Sequence, residues 1–208
     1  MNEHNFADKL AWSRGIARDT DAETIRSMIP GCVSVEQATV ELDRKGIDFI
    51  ATLRRGATIN VDIKARAAGV SRYWRAAPLY GVVAPEPELT IEIWSMMPHN
   101  GRPGKAGWTL DESKLTDYVL YLFDATDTHE AFLLPFQLLR MATVRNLDAW
   151  RAASPPRHCE TNGGPDNGGW RTQSIFIQAW AVIESVAAEM RRRQTCGRAA
   201  LDNSPTGE

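Results

Sequence analysis

An apolar residue at every second position in two neighbouring segments, Ile47 to Leu53 and Thr58 to Arg66, constrains the fold of this chain more than any other feature. Odd positions from Ile47 to Leu53 and from Ile59 to Ile63 are apolar, so each segment reads as a strand with one face turned to a core. The connector Arg54-Arg55-Gly56 reads as a three-residue hairpin loop with glycine at the position that needs a positive φ. Closing that loop between Leu53 and Ala57 sets Asp48 opposite Asp62, give or take a one-residue bulge. Asp48, Asp62, Lys64 and Arg66 then share the face opposite the apolar one.

Two carboxylates held close repel each other unless a positive charge lies between or beside them. A divalent cation is the simplest such charge, and hard oxygen ligands select Mg²⁺ or Mn²⁺, commonly held by one or two carboxylates with waters and phosphate oxygens completing the shell. Lys64 on the same strand face adds a cation able to steer a phosphate or a water. The alternative is a solvated face carrying mixed charges, as on many half-exposed antiparallel sheets. Context decides between them. Three of the five lysines follow an acidic residue by two positions, in Asp43-Arg44-Lys45, Asp62-Ile63-Lys64 and Glu112-Ser113-Lys114, but only the second lies in a β-branched alternating run.

Gly46-Ile47-Asp48, Asp62-Ile63-Lys64 and a preceding helical segment, Asp21 to Ile29, together resemble the PD-(D/E)XK nuclease superfamily. That core is a helix followed by strands, with an aspartate opening one strand and (Asp/Glu)-x-Lys on the next. The resemblance implies an α/β (α+β) fold with a restriction-endonuclease-like core, a mixed central sheet flanked by helices. It implies that Asp48, Asp62 and the Ile63 carbonyl bind Mg²⁺ or Mn²⁺, and that Lys64 positions the attacking water or stabilises charge. Glu23 would be the acidic residue on the first helix, although Glu36, Glu41 and Asp43 also precede the hairpin and could fill that role. Val33 to Asp43 would hold the first strand and its connection. Further on, Leu89 to Ser95, Gly107-Trp108 and Asp117 to Phe123 are similar to uncharacterised phage and prophage proteins of the same fold.

A local basic cluster follows the hairpin: Lys64, Arg66, Arg72 and Arg75, with Tyr73 and Trp74 interleaved. Arginine forks bind phosphate oxygens and aromatic faces stack on unpaired bases, so Arg66, Arg72, Arg75 and Trp74 are candidates for nucleic-acid binding. The competing account packs Tyr73 and Trp74 on the core and leaves the arginines in water. Arg54 and Arg55 at the hairpin tip belong to the same group. Arg191-Arg192-Arg193 follows a helical run and is read as favouring that helix's C-terminal dipole. A formal charge of −2 excludes a polycation that coats nucleic acid through its overall field, so phosphate affinity must be local.

The length suits one domain, placed at residues 1–194, with 195–208 as a disordered tail. No apolar run approaches the ~20 residues of a membrane span, and Met1 to Asn5 lacks the order of a signal peptide. Cys32, Cys159 and Cys196 are odd in number and widely spaced, which suits a reducing compartment; the expectation is a cytoplasmic protein with no membrane partner.

Phe6 to Trp12 and Asp21 to Ile29 read as short helices, the second stopped by Pro30-Gly31. Arg66 to Glu88 reads as irregular, with about one helical turn, because it holds Gly69, Pro78, Pro85 and Pro87. Thr90 to Met96, Thr116 to Phe123, Phe132 to Pro135 and Ser174 to Ile177 read as strands, and Phe136 to Trp150 and Ala179 to Met190 as helices. Ser154 to Gly169, rich in proline, asparagine and glycine, reads as a long mobile loop.

Other chemistries fail on spacing. Gly101-Arg102-Pro103-Gly104-Lys105 is no phosphate loop, because His99 stands where the first glycine must be and no Ser or Thr follows Lys105. His158-Cys159 has no partners at zinc-ligand spacing, and no Gly-x-Ser-x-Gly elbow supports a hydrolase triad. Glu92 interrupts an apolar strand, and facing water on an edge is the more economical account of it than extending the acidic site. These readings favour a Mg²⁺-dependent nuclease acting on DNA ahead of RNA. The alternative is a non-catalytic nucleic-acid- or protein-binding module of phage origin that keeps the fold.

Overall fold

The computed structural model describes residues 22–66, 87–125, 128–161 and 165–202. Helix α1 (Ala22–Met28) turns its Ile25, followed by Ile29, into a core, and the chain reverses through Gly31 at φ +79° into β1 (Cys32–Gln37). After one turn of helix, α2 (Val40–Asp43), strands β2 (Phe49–Leu53) and β3 (Thr58–Arg66) form the expected hairpin. Its register pairs Phe49 with Val61 and Thr52 with Thr58, as the loop closure requires. Gly56 carries φ +80°, and the Leu53 N–H donates to the Ala57 carbonyl at 2.8 Å.

Strand β3 then pairs in parallel with β6 (Tyr118–Ala125), and β6 pairs antiparallel with β7 (Thr128–Pro135). The result is a five-stranded mixed sheet in the order β1-β2-β3-β6-β7. Parallel neighbours need a long crossover, usually a helix. Here the chain between β3 and β6 instead supplies β4 (Glu88–Met96) and the two-residue β5 (Lys105–Ala106) of a second sheet. That sheet is completed by β8 (Arg157–Thr161) and β9 (Trp170–Gln178), in the order β5-β4-β9-β8.

Two long helices follow their strands directly. Helix α3 (Phe136–Ala153) buries Phe136, Leu138, Leu139, Ala142 and Trp150, and α4 (Ala179–Asp202) buries Ala179, Val182, Val186 and Glu189 at helical spacing. Both stripes pack into one core with Val119, Tyr121 and Phe123 of β6 and Leu89, Ile91, Ile93, Ile175 and Ile177 of the second sheet. A separate core holds Ile25, Ile29, Phe49, Ala51, Val61, Ile63 and Leu120. The two cores lie on opposite faces of the five-stranded sheet, because neighbouring residues of a strand point to opposite sides.

Several expectations are corrected. Ser154 to Gly169 is not one loop: Arg157–Thr161 pairs residue for residue with β9, and Pro165–Asn167 forms a 3-10 turn. Proline and glycine at the two ends masked a short extended run whose Arg157 guanidinium sits 4.3 Å over the Phe176 ring. Helix α4 runs on to Asp202, beyond the supposed tail boundary, so Arg191-Arg192-Arg193 lies inside the helix rather than capping it. The expected helix at Phe6 to Trp12 and the irregular stretch between β3 and β4 lie outside the described residues. Cys32 and Cys159 are free thiols, outside any disulfide. Among the described residues no helix is long and apolar enough to cross a membrane.

Candidate active site

Strand β3 outruns β2. Their ladder ends at Phe49 and Val61, with one more bond from the Asp48 N–H to the Val61 carbonyl at 2.9 Å, and β3 continues to Arg66 without β2 beside it. The next inward N–H on that edge belongs to Ile63, and the Asp48 carboxylate accepts it at 2.6 Å in place of a strand. An unpaired buried N–H is costly, so this bond gives the aspartate a structural task as well as a place. In an extended strand the N–H and C=O of one residue face the same edge, which brings the Ile63 carbonyl to the Asp48 side.

Asp48 is fixed from behind too. Its own carbonyl accepts the Ala38 N–H at 2.8 Å. Gly46 makes the preceding turn at φ +83°, a backbone conformation that L side chains rarely adopt and glycine takes without strain. The Thr116 hydroxyl donates to the Gly46 carbonyl and ties this turn to the start of β6.

The polar face of β3 is covered at Asp62 and half-covered at Lys64. Asp62 is 4% exposed, and Lys64 donates to its Oδ1 at 2.6 Å. Covering this face is the crossover, which lays β4 and the following loop over Lys64. A cavity of about 260 Å³ opens there, lined by Lys64, Thr90, Glu92, Trp108, Tyr121 and Ser174. Thr90 Oγ1 is buried and has no hydrogen-bond partner among the described residues, which leaves a hydroxyl for whatever enters. The water-facing account of Glu92 is therefore corrected: β4 is paired on both sides, and the carboxylate lines the cavity while accepting from Ser95 Oγ at 2.8 Å and the Trp108 N–H at 3.0 Å.

Electrostatics follow from this crowding. Burial pushes the Asp48 carboxyl up and the neighbouring Asp62 charge pushes it further; the Ile63 N–H and the Lys64 ammonium recover only part, leaving it at about 7. Burial works against the Lys64 ammonium, but Asp62 outweighs it by charge and hydrogen bond, with Asp48 and Glu92 adding, and the lysine stays above its usual value.

The structure brings Asp48, Asp62, Lys64 and the Ile63 main chain together. Glu23 is placed elsewhere: it is exposed on α1, ion-paired with Arg26, and α1 packs through Ile25 and Ile29 on the sheet face opposite to Asp62 and Lys64. Arg66 ends β3, while Arg72, Trp74 and Arg75 lie outside the described residues. Among the described residues no group of three or more His, Cys, Asp or Glu side chains is gathered to hold a metal ion. Trp108 and Tyr121 went unread as site residues. Gly107 was the available signal for Trp108, a glycine beside a large aromatic in a polar stretch, which marks close backbone approach. None of the protein-family models, curated proteins or solved structures compared with the chain matches it.

Proposed function

We propose that this protein is a Mg²⁺- or Mn²⁺-dependent phosphodiesterase acting on DNA, built on a PD-(D/E)XK core. One observation carries the reading: Asp48 and Asp62 are gathered with Lys64 at a partly buried site, where burial and then the mutual repulsion of the two carboxylates push Asp48 up to about 7. A hard divalent cation would relieve that repulsion, and two carboxylates with one main-chain carbonyl suffice for Mg²⁺, which keeps several waters and takes the rest of its ligands from phosphate. Asp48, Asp62 and the Ile63 carbonyl would hold it. When bound, such an ion polarises a phosphate oxygen and lowers the pKa of water. The order of elements supports the fold, with a helix, then Asp48 directly before β2 and Asp62-Ile63-Lys64 inside β3.

Lys64 is the residue that handles charge. Its ammonium stays protonated beside Asp62 and can donate to a phosphate oxygen or orient a water, stabilising the negative charge that develops there. Arg66, the last residue of β3, and Arg72, Trp74 and Arg75 further along the sequence would hold the nucleic-acid strand.

Asp62→Ala and Lys64→Ala test this directly. Each should lower the cleavage rate by at least about a thousandfold while leaving the far-UV spectrum intact. If both variants cut single-stranded, double-stranded and branched substrates as well as the parent does, the assignment fails. A second reading, a non-catalytic binding module of phage origin, draws on the 2.6 Å ion pair that already occupies one oxygen of Asp62. That module would show no cleavage and no shift of thermal midpoint with Mg²⁺.

A further inference from the structure

We propose that Glu92 and Trp108 are positioning residues for Lys64, with Glu92 fixing the indole that covers the lysine's ammonium. This rests on the reading of Lys64 as the working cation of the site.

Lys64 is a long side chain with many rotamers, and Asp62 alone holds only one side of its ammonium. The other restraint comes from a different sheet: Lys64 Nζ lies 5.0 Å from the centre of the Trp108 ring, within cation–π range. The indole itself is packed by two further rings. It packs against Phe136 at 6.2 Å, nearly parallel, and against Tyr121 at 6.1 Å, tilted by 58°. Its main chain is pinned to β4, with the Gly107 N–H on the Ile93 carbonyl at 2.9 Å and the Trp108 N–H on Glu92 Oε2 at 3.0 Å. Gly107 is indispensable to that approach, since a Cβ there would fall 2.1 Å from the Glu92 carbonyl oxygen. Ser95 donates to the same Glu92 oxygen at 2.8 Å and sets its rotamer. A chain of contacts therefore runs from Ser95 through Glu92 and Trp108 to Lys64, joining the second sheet to the site on the first.

The geometry can be read without any turnover. An aromatic ring shifts the resonances of protons above its face, so the Lys64 ε-methylene should resonate upfield in protein carrying ¹³C-lysine, with Lys64→Ala assigning the signal. Glu92→Gln keeps an oxygen that accepts both donors and should keep the shift; Glu92→Ala should lose at least about half of it. Should Glu92→Ala fail to fold, Ser95→Ala removes only one donor and should reduce the shift by a smaller amount. In cleavage assays Trp108→Leu should lower kcat by about a hundredfold with KM nearly unchanged, as expected when a reacting group is misplaced by about 1 Å, and Trp108→Phe should recover most of the loss. An unshifted Lys64 in the parent, an unchanged shift in folded Glu92→Ala and Ser95→Ala, or a Trp108→Leu protein with parental kcat would each overturn the proposal. A parent that shows the shift and its dependence on Glu92 but cuts nothing supports the positioning and overturns the phosphodiesterase reading alone.

Discussion

Two partly or wholly buried carboxylates in this molecule are treated in opposite ways. Glu189 on α4 is 1% exposed, and its Oε1 accepts from Arg145 of α3 and Arg192 of α4, each at 2.6 Å. The hydrogen bond from Arg145 outweighs burial, and with the charges of both arginines it holds the Glu189 carboxyl below its ordinary value. Asp48 meets another carboxylate instead, and burial first and the Asp62 charge second hold it up at about 7. Burial and neighbouring charge act together on an acid: at Asp48 they push the same way, whereas at Glu189 the arginines oppose burial and win. Glu189 is compensated and clasps two helices, whereas Asp48 is undercompensated and is the group a cation would serve.

The contrast has opposite signs with pH. Asp48 binds its proton more tightly folded than unfolded, so its contribution to stability is greatest below its unfolded value near 3.8 and is lost as pH rises through about 7. Glu189 contributes above its unfolded value near 4.5 and loses that contribution as pH falls through its lower folded value.

The largest expected effect comes from removing the uncompensated charge. Asp48→Asn keeps an oxygen for the Ile63 N–H, so the metal-free variant should melt above the parent at pH 8, on the order of 5–10 °C, with little difference at pH 4. Scanning calorimetry at the two pH values checks this, and a variant that melts lower at pH 8 breaks the comparison. Next is the cation itself. Binding requires Asp48 to lose a proton, so Mg²⁺ affinity should be about tenfold weaker at pH 6 than at pH 8, read from the rise in midpoint with added metal. Equal affinities at both pH values would remove Asp48 from the ligand set.

A smaller change is expected at the compensated site. Arg145→Ala leaves Glu189 with Arg192 alone and should lower the melting temperature by about 3 °C at pH 7, since both arginines are half exposed and the pair is partly screened. Cleavage by this variant should match the parent. The smallest effect is reserved for Glu23→Gln, which should change neither Mg²⁺ affinity nor kcat by more than about twofold, because Glu23 sits on the other side of the sheet. A large loss in a folded Glu23→Gln protein would return that residue to the site.

Much of the first sheet was legible because its determinants are local. The alternation from Ile47 to Ile63 and the glycine of the Arg54-Arg55-Gly56 loop set the strand faces and register within twenty residues of chain. The helices at α1, α3 and the start of α4 followed from spacing and from Pro30-Gly31. Strand β8 was hidden because its partner β9 is brought to it by a turn whose composition resembles a loop. Glu92 interrupts an apolar strand and reads as an edge residue facing water, because the strands β5 and β9 that flank it and the cavity it lines come from distant chain.

From the sequence alone came the pairing of Asp48 with Asp62 and the placing of Lys64 beside them, since a two-residue period and a tight turn act over short distances and leave the chain little choice. Only tertiary structure decided that Asp62 is covered rather than solvated, that Trp108 roofs Lys64, that Glu23 stands apart, and that Glu189 is neutralised by arginines. Those outcomes depend on a crossover that folds a second sheet over the first and on helices meeting across 44 residues of sequence. Charge acts through space, and the environment of a carboxylate exists only once distant segments have packed around it.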